Sequence, residues 1–522
     1  MGVAALNLHL FRTVPVAVAT REVMSYLTFA HLIAAVIIVA FGRWTPVAAS
    51  ALLFVSVSWL VNRWPRYLRS PFALAASFTT CLHFVLPLTV LTVFGSNYQF
   101  GYGMDAIPRE SAEYLRTAPL GILTLTGLFL SGVAGLTLTA SRREPSTGRL
   151  LGRVVPEWPI GMLGLVVVLA TVQGTDALLK IRLTGNETAE SLWQFIFFDS
   201  PYLILFPIVI AAKLMGPGAM RRLLAEWQFT LILLMFFLQA TIGSTSKGFI
   251  LTLVLMSFVL PLSYLQSSRD VLTLMPSRKM VTAAVVLSVA IFFVAQALRV
   301  AVYSGENRSV SGVVSALSSG DGEVYTGVST VAYRLSAALD RYLLIFDAER
   351  TTGHSTAYAA MYVQYMAKNF VNLIWLGTPY LEAYMPSSNL LAPVLYRDAL
   401  LGESSKEMLL RTLNTQPFTM YGVALLVGGG FAPVLIFGGC MLLGAAYRLV
   451  RGLPARLSLL YLYVTAVHSY GFEVVLGNTV HLFVSLILFL WLMRIYRSIR
   501  LMIRPLVGAL RSEPSRVPGT GM

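Results

Sequence analysis

Charge is scarce in this chain. Only 12% of its 522 residues are Asp, Glu, Lys or Arg, where a soluble globular protein carries about a quarter. Hydrophobic residues make up 56%, and the mean hydropathy is +0.72. A soluble fold is excluded, and so is a protein with a single membrane anchor, because half the chain supplies about a dozen spans at roughly 20 residues each. Cysteine is nearly absent. Cys81 and Cys440 both lie inside apolar runs, so no disulfide framework or cysteine metal site braces the loops. The six histidines (His9, His31, His83, His354, His468 and His481) show no ligand spacing, and neither a metal nor another cofactor is expected. Walker A, dinucleotide-binding, HExxH, GxSxG and CxxC patterns are missing as well. No cleavable signal is visible ahead of the first span.

The apolar runs are continuous and too long for barrel strands, which need about ten residues of alternating polarity. The expected fold is therefore all-α and polytopic. Apolar segments centre near 24–41, 46–62, 71–94, 118–140, 158–178, 201–215, 227–243, 248–266, 281–298, 421–447, 457–472 and 479–494, which makes twelve spans. The segments RWPRYLRS, SRREPSTGRL, MRRLLAEW, SSRDVLTLMPSRK and RLVRGLPAR fall with both termini on one side of such a bundle. That side holds 24 of the 39 Lys and Arg but only 6 of the 24 Asp and Glu, so it reads as cytoplasmic. The net charge of +15 is thus explained by topology, and nucleic-acid binding is not expected. Arg494, Arg497, Arg500 and Arg504 recur at helical spacing in the tail, suited to lying along the anionic leaflet of membrane lipids.

The outer side carries the long loops. Four parts follow: a membrane bundle over 1–299, a large outer loop over 300–415, further spans over 416–495 and a basic tail over 496–522. Within the large loop, 325–346 and 355–376 read as helices with an apolar face, separated by the turn-like ERTTGHS. The apolar stretch 417–447 is too long for one untilted span and contains Gly428, Gly429, Gly430 and Pro433. A broken or partly re-entrant helix is expected there, with a tilted helix as the alternative.

ATP does not reach the outer face, so an enzyme there needs a preactivated substrate. The outer segments offer Lys247, Arg299, Arg308, Arg334 and Arg341 against Asp340, Asp347, Glu382 and Glu473. Such cations suit an anionic lipid, phosphorylated at its head. Lys247, in the turn STSKGFIL, opens a span whose first N–H groups can face the same phosphate. Arg299 closes a span. Arg334 and Arg341 are seven residues apart on one helical stripe, able to clamp a diphosphate. Asp340, Glu473 and His354 are the candidate proton acceptors, in that order. Trp375, Tyr380, Tyr384 and Tyr396 could stack on sugar faces, but aromatic residues at a membrane interface need no ligand to explain them.

The twelve-span plan with one large late outer loop, the STSKGFILTLVL turn and NTQPFTMYGVALLVGGGFAPVLIFGGCMLLGAAYRL together resemble the Wzy-type oligosaccharide repeat-unit polymerases of bacterial surface polysaccharides. The turn differs from the family's usual one in carrying Lys247 where arginine is commoner. The resemblance implies a GT-C-like glycosyltransferase of the bacterial inner membrane acting on undecaprenyl-diphosphate-linked oligosaccharide. The growing glycan would leave its lipid diphosphate for a new lipid-linked repeat unit, as in O-antigen or exopolysaccharide assembly, with a chain-length regulator protein as a candidate partner. Lys247, Arg299, Arg334 and Arg341 would stabilise the departing diphosphate.

Three other functions compete. An O-antigen ligase would share the span plan and the outer cations. A transferase using polyprenyl-monophosphate sugars usually keeps a carboxylate in its first outer loop, here FGRWTP without one. A lipid or glycan transporter or flippase tends to show mid-span carboxylates and two matching halves, and this chain shows neither.

Overall fold

A computed structural model describes residues 11–43, 45–94, 111–139, 216–225, 259–265, 271–283, 419–450 and 453–468, with single residues and short pieces elsewhere, chiefly within 339–367 and 494–502. Among the described residues the chain is mostly helical. Four stretches are long and apolar enough to cross a bilayer: Val16–Phe41, Ala73–Val93, Thr117–Leu138 and Thr419–Leu449. The expected spans at 158–178, 201–215, 227–243, 248–266, 281–298 and 479–494 lie wholly or mostly outside the described residues.

The first helix, α1 (Val16–Phe41), is 26 residues long, about 39 Å, which exceeds the roughly 30 Å hydrocarbon core. It starts eight residues before the apolar segment that marks it, because the charged Arg21 and Glu22 interrupt the apolar run without ending the helix. A tight connection leads to α2 (Pro46–Val61), where Thr45 accepts the Ala48 N–H at 3.2 Å and Pro46 occupies the first turn, the residues that favour a helix start. Next come α3 (Ala73–Thr80) and α4 (Leu86–Phe94), joined by a π-helical turn over Cys81–Val85. Pro87 accounts for that turn: it lacks an N–H and crowds the carbonyl four residues back, and widening the helix relieves both. The fifth helix, α5, spans Ser111–Leu138.

Two buried polar pairs among the described residues tie helices together. His31 on α1 meets Ser58 on α2, Nε2 to Oγ, at 2.9 Å, while its Nδ1 lies 2.6 Å from the Leu27 carbonyl. Both side chains are buried. Ser77 on α3 donates to Asn62 Oδ1 at 2.5 Å. We expect Ser58→Ala to cost about 1–2 kcal/mol, because it strands a buried imidazole nitrogen; unfolding in detergent against wild type measures it, and an unchanged midpoint would show that the pair contributes nothing.

The chain also forms a small sheet that hydropathy did not foreshadow. Strand β1 (Phe11–Pro15) pairs antiparallel with β2 (Leu272–Pro276), Phe11 opposite Pro276 and Pro15 opposite Leu272. Val16 N–H continues the ladder to Val271 O at 2.8 Å. The short helix α6 (Pro217–Ala225) packs on β2, and Arg221 donates to Thr13 Oγ1 at 3.0 Å. Arg12 is ion-paired with Glu22. Three segments far apart in sequence are thus joined at the start of α1. All three were expected on one side from their charge.

The remaining helices are α7 (Leu260–Leu265), α8 (Thr419–Gly428), α9 (Ala432–Leu449) and α10 (Leu453–His468). Phe72, at the start of α3, stacks edge-on against Tyr447 of α9 and Tyr463 of α10, each at 5.4 Å between ring centroids. Arg456 lies over the Tyr447 ring and donates to Val450 O at 2.8 Å. Tyr67 is fully buried beside Ser77, and burial pushes its hydroxyl above the ordinary tyrosine range, so it stays a neutral donor. Ser70, Pro71 and Phe72 also lie beside Thr139, Gly444, Tyr447 and Arg448, so the connection after α2 and the C-terminal ends of α5 and α9 gather at one end of the bundle, in agreement with the sorting of the flanking segments by charge.

Candidate functional site

The opposite end carries part of the large loop. Leu339, Tyr342, Leu343, Ile345, Phe346, Asp347, Glu349 and Arg350 are helical. Glu349 and Arg350 are thus helical beyond residue 346, where the sequence pattern places the end of the helix. Leu339, Tyr342, Leu343 and Ile345 are buried. Tyr342 donates its hydroxyl to the Gly121 carbonyl on α5 at 3.1 Å. A methyl group added at Gly121 would meet Leu343 Cδ2 at 2.6 Å and Phe346 Cδ1 at 3.1 Å. The loop helix is therefore docked through close packing against a glycine near the start of the α5 span. Tyr342→Phe is expected to loosen that dock by about 1 kcal/mol, read as faster hydrogen exchange of residues 339–350; unchanged exchange would show that the hydroxyl is dispensable. Fragments at 359–360, 362–364 and 367 are helical too, within the second helix expected in this loop.

The chain breaks inside the apolar stretch where three glycines and a proline predicted it. Helix α8 ends at Gly428, a 3-10 turn covers Gly429–Phe431, and α9 begins with Pro433 in its first turn. Gly429 takes φ +50°, the left-handed conformation that ends helices at little cost only in glycine. The left-handed Gly429 and the 3-10 turn interrupt the helical hydrogen bonding between α8 and α9, and α8 packs against α9, which two parts of one continuous straight helix cannot do. The segment is bent, and the tilted-helix alternative is set aside. Residues Thr419–Leu426 are buried, whereas Phe431 is 76% exposed. The buried start of α8 holds Thr419 at φ +63°, with its hydroxyl accepting the Gly422 N–H at 3.3 Å. A β-branched residue with positive φ is strained backbone that its surroundings must hold in place.

The depth of the break follows from how α9 lies on α5. Methyl groups added at Gly132 and Gly135 would meet Ile436 at 3.3 Å and the Phe437 carbonyl at 2.4 Å, and one added at Gly444 would meet Thr139 at 1.9 Å. The two helices run parallel through a seam of small residues, the usual way for helices to approach closely in lipid. Carried back along that register, Gly429–Phe431 stands beside about residues 125–127, half-way along the α5 span. Below the break, Leu130, Ser131, Ala134, Pro433, Val434 and Phe437 line an open, mostly apolar groove of about 440 Å³. Phe84, on the π-helical turn, packs on Tyr421 at 5.4 Å and on Phe54 at 6.2 Å, and Phe54 on Phe129 at 5.6 Å, which seats α8 in the middle of the bundle.

The residues expected to do the chemistry, Lys247, Arg299, Arg334, Asp340, Arg341, His354 and Glu473, all lie outside the described residues. Asp340 and Arg341 immediately precede Tyr342, the docking residue. Asp347 is described and half-buried. Sequence reasoning did not single out Tyr342, Gly121 or Thr419. Apolar or aromatic residues at 339, 342, 343 and 346, a helical spacing, are the signal that marks the first; nothing in the sequence marks the strained Thr419.

No protein-family model matches the chain, and neither a curated protein nor a solved structure is significantly similar to it.

Proposed function

We propose that this chain is a twelve-span inner-membrane glycosyltransferase that polymerises undecaprenyl-diphosphate-linked oligosaccharide repeat units at the outer face, with both termini cytoplasmic. The observation that carries this reading is the placement of the large-loop helix. It is docked at the end of the bundle opposite the basic connections, with Asp340 and Arg341 next to its anchoring tyrosine. The break in the apolar segment and the groove beneath it support a lipid substrate, since irregular backbone at membrane depth is tolerated where it lines a cavity.

Lipid diphosphate is a good leaving group, and its developing charge needs fixed cations. Lys247, Arg299, Arg334 and Arg341 take that role. A unit charge pair at 4 Å is worth about 4 kcal/mol at an effective dielectric of 20, so two such contacts lower the barrier by several kcal/mol before solvation losses. Asp340, Glu473 or His354 accepts the proton of the acceptor hydroxyl. The reaction needs no metal, and polymer formation by purified protein is expected to persist in excess chelator; restoration of activity only on adding a divalent cation would contradict this.

Deletion of the gene tests the assignment. Single lipid-linked repeat units should accumulate. Long lipid-linked polymer would instead mark a ligase, and unchanged polysaccharide with no lipid-linked intermediate would remove the chain from this chemistry.

A further inference from the structure

The sheet at the start of α1 is more than a fastening. Arg21 on α1, Arg221 and Arg222 on α6, and Arg278 and Lys279 just after β2 are all exposed. They are brought together by the β1–β2 pairing, by the packing of α6 on β2 and by the Arg221–Thr13 hydrogen bond. The described carboxylate among them, Glu22, is already paired with Arg12. The apolar side of α6 (Ala219, Met220, Leu223) is buried, which leaves its two arginines outward. Three strands of sequence, separated by about two hundred residues and by fifty, have been folded into one cationic platform.

We propose that this platform binds the anionic head groups of the membrane leaflet at that end of the bundle. Its height decides the occupant. Beyond Arg21 the next outward large apolar residues on α1 are Tyr26 and Phe29, exposed by 42% and 61%. Tyr26 and Phe29 lie five and eight residues beyond Arg21, or about 8–12 Å along the axis. The cations therefore stand at the level where lipid phosphates lie, beside the hydrocarbon boundary, and each basic side chain near an anionic surface contributes about 1 kcal/mol, which is roughly fivefold in binding. Insertion asks only for positive residues in these connections. It does not require a sheet that ties the N-terminal strand to a loop more than 250 residues away, nor a helix turned with both arginines outward.

The test is lipid selection by the full-length chain. Wild type and a variant carrying Arg221→Gln, Arg222→Gln, Arg278→Gln and Lys279→Gln are purified from mixed micelles holding phosphatidylglycerol and phosphatidylcholine in equal amounts. Retained lipids are counted by native mass spectrometry. Wild type should retain at least about threefold more phosphatidylglycerol than phosphatidylcholine in low salt, and the preference should fade as salt rises. The variant should lose most of it. Equal retention by wild type, or an undiminished preference in the variant, overturns the proposal, the second result assigning the selectivity to other cations at this end. Should the variant not yield folded protein, the wild-type salt series decides: a preference indifferent to salt overturns it, and an acidic protein partner then becomes the better occupant.

Discussion

Arg299→Ala and Arg341→Ala should each abolish polymer formation while the protein still inserts and accumulates as wild type does. Each removes one of the cations assigned to the lipid diphosphate, and loss of a charge that stabilises a leaving group typically costs about 3–4 kcal/mol, or two to three orders of magnitude in rate. Lysine at either position should restore little, because an ammonium ion cannot make the paired contacts of a guanidinium. The readout is polysaccharide length and yield in cells, with membrane abundance measured alongside. Arg341 has a built-in control: Tyr342, its neighbour, anchors the loop helix to Gly121. A loss that came only from undocking would be reproduced by Tyr342→Phe. The account predicts that Tyr342→Phe keeps most of the activity and Arg341→Ala none. Wild-type polymer from both arginine variants would remove these residues from the mechanism.

The second large effect is structural and separates two glycines of one helix. A methyl group at Gly135 would lie 2.4 Å from the Phe437 carbonyl and 3.0 Å from Cys440 Cβ, whereas one at Gly127 meets nothing within 4 Å. The first clash is with backbone, so it is relieved only by moving α9 off α5. Gly135→Ala should cost about 2–3 kcal/mol. Gly127→Ala should be neutral or slightly stabilising, because alanine is the better helix former by about 1 kcal/mol. Thermal unfolding of both variants in the same detergent measures the difference. Equal midpoints would mean that the α5–α9 seam does not hold the broken helix in place.

These contrasts show what could be read from the residues. Hydropathy located the first four helices well, because an uninterrupted apolar run has one meaning at that length. It missed the first eight residues of α1, where Arg21 and Glu22 interrupt the apolar run but not the helix. Charge sorted the connections into one group before any contact between them was known, and the Arg221–Thr13 bond and the β1–β2 pairing join three of that group. The pairing itself was illegible: FRTVP and LTLMP are five residues each, separated by more than 250, and neither alternates long enough to declare a strand. Gly428, Gly429, Gly430 and Pro433 announced the break correctly, since each disfavours a continuing helix in its own way. The depth of that break was not legible, because it is set by where Gly132, Gly135 and Gly444 let α9 settle on α5. The chemistry of the proposed site rests on residue types and on their order along the chain.

One measurement bears on all of this most directly. Single cysteines are placed at Ser388, in the large loop, and at Ser277, beside the sheet, in a background where the two native cysteines, mostly shielded within helices, are replaced by serine. Intact cells with a permeabilised outer envelope are then treated with a maleimide that does not cross the cytoplasmic membrane. The account predicts labelling at position 388 and protection at 277 until the membrane is opened. Labelling at 277 with protection at 388 would place the large loop inside the cell, away from any lipid-linked glycan awaiting polymerisation, and would contradict it.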